Sequence, residues 1–315
     1  MSPPGAVCVT GMHRSGTSFA ARALDLLGVS FGDPALLMQP GPDNEAGYWE
    51  NSSIKELDND LLAHLGGSWD SPPALDPGWA DEPALEEFHV RGAEILEATF
   101  GPAERRPVVG WKDPRLSLLL PFWRRLTPIA ATIVLVRNPA EVAASLWKRN
   151  SIRPPQACLL WLRYLLAAVD SDPDRHLIVD HAAFFDDPGG TLVTMADHLS
   201  LARPDEKVVG AVTAHLDPSL RHHLASNSAG NDDDNPLVQL AESVWNGGAV
   251  TTEVLPAVVG RAIAHGWLRP PVDTEAFDHA RARNVDLTEL LRRRSRERTR
   301  SEQADAERLE AGEEL

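Results

Sequence analysis

The feature that most constrains this chain is a short apolar strand that leads directly into a glycine-bounded loop and a helix. Ala6–Val9 has the continuous apolar character of a buried strand, and Gly11 and Gly16 bound the loop that follows. Apolar residues then recur with helical spacing, and Gly28 is the stop signal of that helix. A strand, loop and helix in this order point several backbone N–H groups and the positive end of a helix dipole at one place. The sequence therefore predicts an anion-binding site at this loop.

Three further apolar segments predict the other strands of a sheet. They cover residues 107–111, 131–136 and 176–179, and helical patterns lie between them. The helix after the second segment has a clear start, because Asn138 suits the N-cap and Pro139 suits the first helical position. Strands that alternate with helices favour a parallel sheet covered on both faces. We expect one α/β domain of three layers, α/β/α, around a central parallel sheet.

The loop has the glycine spacing of a P-loop but lacks the lysine. Gly11 and Gly16 match the pattern GxxxxG, and Ser18 stands at the position of the P-loop hydroxyl. Thr17 occupies the position of the lysine that nucleoside-triphosphate enzymes place on the β- and γ-phosphates. The strong positive charge of the loop is Arg14 instead. The pattern predicts a fold like that of the P-loop nucleoside-triphosphate hydrolases with a site for a different activated phosphate; a P-loop nucleotide kinase is the alternative.

Composition limits the partners that the chain can bind. Its 315 residues carry 46 acidic and 30 basic side chains, a formal net charge of −16, which opposes binding to a nucleic acid backbone. Cys8 and Cys158 form no CxxC metal pattern and are too few for a disulfide scaffold. No apolar run approaches the roughly 18 residues of a membrane span, and the N-terminus has no signal-peptide pattern. We expect a soluble cytoplasmic protein.

The loop sequence Gly-Met-His-Arg-Ser-Gly-Thr-Ser resembles the 5′-phosphosulfate loop of sulfotransferases that use 3′-phosphoadenosine 5′-phosphosulfate (PAPS). In that family a lysine or arginine precedes Ser-Gly-Thr-(Thr/Ser). The resemblance implies that Arg14 contacts the phosphosulfate and has a catalytic as well as a binding role. It implies a cradle for the 5′-phosphate made of Ser15, Gly16, Thr17 and Ser18.

A second segment resembles the 3′-phosphate motif of the same family, which is Arg-(Asn/Asp)-Pro with a serine eight residues after the arginine. Arg137 and Ser145 hold these two positions and would bind the 3′-phosphate. Residues 44–50 and 111–115 are similar to stretches of bacterial sulfotransferases. The resemblance covers about residues 5–225. The Arg-Lys-Gly loop of many cytosolic animal members is absent, which leaves the contact with the adenosine open.

Sulfuryl transfer by in-line displacement needs a base for the acceptor proton, positive charge on the transferring oxygens, and alignment, but in principle no metal. Lys112 ends a strand at the edge where ligands of open α/β sheets bind, and there it would supply positive charge as a catalytic residue. Its alternative role is a salt bridge with Asp113. For the base we favour Glu50 over Glu45, both in the segment that resembles the bacterial enzymes. Asp113 is a third candidate, unless it only holds Arg115.

The sequence is thus interpreted as a PAPS-dependent sulfotransferase. It would transfer a sulfuryl group to a hydroxyl, or as second choice an amine, of a small molecule, a glycan or a secondary metabolite. A P-loop nucleotide kinase and a catalytically inactive nucleotide-binding protein are the alternatives. Residues 1–285 would form the sulfotransferase domain, and residues 286–315 a charged tail, helical or disordered. The tail could instead be an oligomerisation helix, so a homo-oligomer is the alternative to a monomer.

Overall fold

The computed structural model describes residues 5–41, 44, 47–73, 75, 78–101, 108–171, 175–216 and 235–246. One candidate base, Glu45, lies outside these residues. The predicted boundary at residue 285 and the predicted tail 286–315 also lie outside them.

Four strands form the sheet in the described part of the chain. They are β1 Ala6–Gly11, β2 Gly110–Lys112, β3 Ile129–Val136 and β4 His176–Asp180. Their order is β2-β1-β3-β4, and all neighbouring pairs are parallel. The predicted parallel sheet is therefore confirmed. The second strand begins later than predicted, because Val109 makes only an isolated bridge with Ser30. It ends at Lys112, as predicted.

Strand β1 is buried along its whole length because both of its faces are covered. Its side chains alternate between two apolar clusters, as the two-residue period of a strand requires. Ala6 and Cys8 belong to one cluster, and Val7 and Val9 belong to the other. This double burial explains why the strand reads as an unbroken apolar run in the sequence.

Ten helices cover the two faces of the described sheet. From the N-terminus they are α1 Thr17–Leu26, α2 Ser52–His64, α3 Glu86–Phe100, α4 Leu116–Leu126, α5 Pro139–Asn150, α6 Pro154–Ser171, α7 Ala183–Asp186, α8 Pro188–His198, α9 Glu206–Thr213 and α10 Pro236–Trp245. Helices α1, α7, α8 and α9 pack on the face of Val7 and Val9, and the others pack on the opposite face. None of the described helices is long and apolar enough to cross a membrane.

The strand order creates a crevice at the carboxyl edge of the sheet. From β1 the chain moves outward to β2 on one side, and from β3 it moves outward to β4 on the other. Neighbouring strands β1 and β3 therefore mark the point where the winding direction reverses, which is where open α/β sheets bind ligands. The pairing of Gly11 with Leu135 places the loop after β1 beside the end of β3. Helix α5 starts there as predicted, with the Asn138 side chain accepting from the Ala140 N–H at 2.9 Å.

The Gly11→Ala variant should lose far more stability than Gly28→Ala, although both glycines have positive φ, 131° and 94°. Positive φ costs an alanine about 1–2 kcal/mol. A Cβ at Gly11 would also lie 2.2 Å from the Leu135 carbonyl oxygen, whereas no described atom lies within 4 Å of a Cβ at Gly28. Overpacking adds about 1–3 kcal/mol. Urea unfolding should show a loss of about 1–2 kcal/mol for Gly28→Ala and about 3 kcal/mol or more for Gly11→Ala; equal losses would contradict this packing.

Candidate active site

The loop between β1 and α1 exposes the positive end of a helix. Gly16 holds the N-cap position with φ 88°, and no described side chain caps the helix. The first N–H groups of an α-helix have no acceptor inside the helix. Ser15 lies in the same loop, and its buried Oγ has no hydrogen-bond partner among the described residues. Backbone N–H groups and a buried hydroxyl at this edge fit an anionic ligand such as a phosphate.

Arg14 links the loop to the second predicted motif. Its φ of 72° is left-handed, an uncommon conformation for a residue other than glycine. In this conformation Arg14 Nε donates to Ser145 Oγ at 2.9 Å. Ser145 lies on α5, 131 residues later in the chain. The structure therefore brings into contact the two segments that the sequence predicts to bind the two ends of one ligand.

Arg137 lies directly after β3, at the start of α5. Its Nε donates to Glu141 Oε2 at 2.6 Å, and its backbone oxygen accepts from Trp161 Nε1 at 3.0 Å. The side chain is largely buried, with 12% of its surface exposed. Both contacts fix the direction of the guanidinium at the sheet edge. Arg137 and Ser145 lie two turns apart on the same segment, as the predicted 3′-phosphate motif requires.

A buried ion pair lies at the end of β2. Lys112 Nζ is 2.5 Å from Glu50 Oε1, and both side chains are buried. The alternative role of Lys112, a salt bridge with Asp113, is replaced by this contact. Asp113 Oδ1 instead accepts from the Arg115 backbone N–H at 2.8 Å and from Arg115 Nη1 at 2.9 Å. Lys112 and Glu50, both predicted as catalytic, thus lie together.

Arg115 connects this ion pair to helix α2. Its Nη1 lies 3.9 Å from Glu50 Oε2, and its Nε donates to Asn59 Oδ1 at 2.8 Å. Burial opposes the charge of the guanidinium, but the carboxylates of Asp113 and Glu50 outweigh burial and raise the pKa of Arg115. Arg115 therefore stays charged although it is buried.

His13 forms the wall of the site next to Arg14. Its ring centroid lies 4.4 Å from that of Trp69 and 5.9 Å from that of Tyr164. Its Nε2 is buried and has no hydrogen-bond partner among the described residues. Burial, followed by the charges of Arg115 and other nearby cations, lowers the pKa of His13 well below its ordinary value. The imidazole is therefore neutral at physiological pH.

Ser18 ties α1 to the segment that carries Glu50. Its Oγ donates to the Tyr48 carbonyl oxygen at 2.9 Å and accepts from Asn44 Nδ2 at 3.2 Å. The Ser18 hydroxyl thus forms hydrogen bonds with the segment before α2 in this structure. Its role at the 5′-phosphate stays a prediction. Trp49 has φ 58° and packs its ring edge-on against Phe31, with centroids 5.7 Å apart. These contacts direct Glu50 into the protein.

The sequence analysis missed two residues of the site, Asp58 and His181, although the sequence position of each is informative. Asp58 falls within the apolar stripe of α2, where a carboxylate is out of place; the stripe consists of Ile54, Leu57, Leu61 and Leu62. His181 directly follows β4 and lies at the same edge as Arg137. A Cβ on Gly16 would lie 2.2 Å from His181 Cδ2, so the loop backbone packs against this imidazole. Burial and then the charge of Arg137 lower the pKa of His181 to about 4.

Cations and hydroxyls dominate the donor set of the site. Within the described residues no group of three or more His, Cys, Asp or Glu side chains is arranged to hold a metal ion. The basic side chains at the edge are Arg14, Lys112, Arg115 and Arg137. This arrangement can bind anions and move a proton to or from a carboxylate.

The Lys112→Met variant should lose about 3–5 kcal/mol of stability, because it leaves the Glu50 carboxylate buried without its partner. Adding Glu50→Gln should restore part of this loss in the double variant, since the buried charge is then removed. The matched control is Asp60→Ala, which breaks an exposed pair with Arg91 at 2.8 Å and should cost less than about 1 kcal/mol. Urea unfolding measures all three. A loss for Lys112→Met no larger than that of the control would mean that the buried pair is not formed.

Comparison with known proteins finds similarity only among solved structures. No family model matches the sequence, and the search of curated proteins found no match. The chain is similar to the sulfotransferase domain of the olefin synthase from Synechococcus PCC 7002, with 20% identity, 79% of this chain and 96% of that chain covered, and a TM-score of 0.42. It is similar to sulfotransferase STF1 from Mycobacterium tuberculosis H37Rv, with 18% identity, 78% and 77% covered, and a TM-score of 0.44. A third is retinol dehydratase in complex with androsterone and the inactive cofactor PAP, with 15% identity, 69% and 65% covered, and a TM-score of 0.37.

Proposed function

We propose that the protein is a sulfotransferase that uses PAPS as sulfuryl donor. The observation that carries the proposal is the hydrogen bond of 2.9 Å from Arg14 Nε to Ser145 Oγ. It joins a helix N-terminus and an arginine after β1 to a second anion-binding segment after β3. A ligand with anionic groups at both ends, such as an adenosine 3′,5′-bisphosphate, matches two such sites.

The two sites divide the ligand between them. The N–H groups at the start of α1, with Ser15 and Thr17, would hold the 5′-phosphate, and Arg14 would hold the sulfate next to it. Arg137 and Ser145 would hold the 3′-phosphate. A nucleoside triphosphate carries all its phosphates on one side of the ribose and would leave the segment of Arg137 and Ser145 without a phosphate to bind. The absence of a lysine at Thr17 also favours the bisphosphate.

Lys112 and Glu50 would move the acceptor proton. Lys112 fixes Glu50 Oε1 at 2.5 Å, whereas Oε2 lies 3.9 Å from Arg115 Nη1, beyond hydrogen-bond length. Oε2 is therefore the oxygen that we assign to accept the proton. PAPS supplies the sulfuryl group, whose bond to the phosphate oxygen breaks as the acceptor oxygen bonds to sulfur. Arg14 stabilises charge on the transferring oxygens and aligns them.

The acceptor would be a hydroxyl, or as second choice an amine, on a small molecule or a sugar-containing metabolite. His13 and Trp69 are partly exposed and give one side of the site an aromatic wall, whereas Tyr164 is fully buried. Aromatic rings stack on the apolar faces of ring-bearing molecules. This wall therefore favours an acceptor that carries a ring.

Calorimetry with nucleotides tests the cofactor. We expect 3′-phosphoadenosine 5′-phosphate to bind far more tightly than AMP, ADP or ATP. The Arg137→Ala variant should lose most of this preference, because it removes a charge-assisted contact worth about 1.5–3 kcal/mol. Arg203→Ala is the control, since Arg203 pairs with Asp197 on the surface between α8 and α9. Equal affinity of the wild-type protein for ATP and the bisphosphate would reject the proposal and favour the kinase alternative.

Turnover tests the base. We expect Glu50→Gln to lower kcat by about 10²- to 10⁴-fold, the usual contribution of a general base, while the affinity for 3′-phosphoadenosine 5′-phosphate changes only a few-fold. Glu45→Gln should have a much smaller effect. Melting curves must first show that each variant is folded at the assay temperature, because Glu50 is part of a buried ion pair. Full turnover of a folded Glu50→Gln variant would move the assignment to Glu45 if Glu45→Gln slows turnover, and to Asp113 if neither variant does.

A further inference from the structure

A buried group of charges beneath the loop does not balance if every member is ionised. Three carboxylates, those of Glu50, Asp58 and Asp113, face only two cations, Lys112 and Arg115. All five side chains are buried. A buried net charge is strongly unfavourable, and proteins usually remove it by binding or releasing a proton.

The unpaired oxygens show where such a proton fits. Asp58 Oδ1 accepts from Trp123 Nε1 at 2.9 Å, and Asp113 Oδ1 accepts from Arg115. The other oxygen of each residue, Oδ2, is buried and has no hydrogen-bond partner among the described residues. Two buried acceptors without a donor are costly. A proton on one carboxyl turns one of these oxygens into a donor.

We infer that the carboxyl pair Asp58–Asp113 holds one proton in the folded protein, carried on Asp58, and that this proton makes the buried group neutral. Asp58 is the carrier because Asp113 is paired directly with Arg115. Arg115 makes no hydrogen bond or ion pair with Asp58 among the described residues, and its Nε donates to the neighbouring Asn59 instead. With Asp58 neutral, the charges of Glu50 and Asp113 match those of Lys112 and Arg115.

The surroundings of Asp58 on each side agree with this assignment. Burial raises its pKa well above the ordinary value, and the charges of Asp113 and then Glu50 raise it further. The Trp123 hydrogen bond and the charge of Arg115 oppose the rise. The neutral imidazole of His13 supplies no third cation.

The proton has a consequence for the proposed function, on which this step rests. Glu50 and Asp58 repel each other when both are ionised, so the proton on Asp58 leaves Glu50 ionised against Lys112. Asp58 then acts as a positioning residue for the base and touches no substrate. Loss of this proton at high pH would place a net negative charge behind Glu50.

Infrared spectroscopy and melting curves test the proton without any ligand. With ¹³C-labelled aspartate, the wild-type protein at neutral pH should show the carbonyl band of a protonated carboxylic acid. The band should disappear in Asp58→Asn and persist in Asp60→Asn, a control on the exposed side of the same helix. A wild-type protein without the band has both carboxylates ionised, for example bridged by a buried water, and overturns the inference.

The pH dependence of melting provides a second measure. An acid with a raised folded pKa stabilises the protein fully only below its unfolded pKa of about 4, and this stability is lost as pH rises toward the folded pKa. Asparagine has no such dependence. The melting temperature of Asp58→Asn minus that of the wild type should therefore be higher at about pH 8 than at about pH 5. The same difference for Asp60→Asn should be equal at both pH values.

The outcomes separate this inference from the proposed function. If the difference in melting temperature between Asp58→Asn and the wild type is the same at both pH values, the inference is overturned, whether or not the protein transfers sulfate. If Asp58→Asn does not fold, a pH titration of the labelled wild-type band decides the question alone. If the band is present but the protein does not bind 3′-phosphoadenosine 5′-phosphate, the carboxyl pair stands and only the proposed function fails.

Discussion

The ion pair between Lys112 and Glu50 is the interaction on which the site depends. It fastens the segment before α2 to the end of β2, and Ser18 fastens the same segment to α1. A buried ion pair often contributes no more stability than an apolar pair of the same size, because both charges lose their hydration. Stability alone therefore gives no reason for this buried pair to be charged, which agrees with the role in proton transfer proposed above.

Unusual backbone conformations are concentrated in the loop after β1. Gly11, Arg14 and Gly16 all have positive φ within six residues. Such conformations persist only where the surrounding structure enforces them. Here the buried β1 holds one end of the loop and the packed helix α1 holds the other. The strain directs the Arg14 side chain toward Ser145 and leaves the first N–H groups of α1 open to a ligand.

The sequence predicts the fold because its main signals are local. The buried strands, the start of α5 at Asn138 and the parallel arrangement depend on patterns a few residues long, and the structure confirms them. The apolar run of the second strand stops at residue 111, and Lys112 was predicted as the strand end, which the structure confirms. The partner of Lys112 in the sheet is Val9, which lies over 100 residues away and which no local pattern identifies. The partner of Lys112 was missed for the same reason, because Glu50 lies 62 residues away.

Charge at the site is arranged in two layers with different roles. The inner cations, Lys112 and Arg115, are matched by carboxylates and stay buried, so they fix positions. Arg14, on the loop, donates to the neutral hydroxyl of Ser145 at the carboxyl edge of the sheet. Burial, and then the charges of Arg115 and Lys112, lower the pKa of His13, so the imidazole beside these cations stays neutral. In a protein with a formal net charge of −16, such a local positive site guides anions to one place and leaves the rest of the surface unattractive to them.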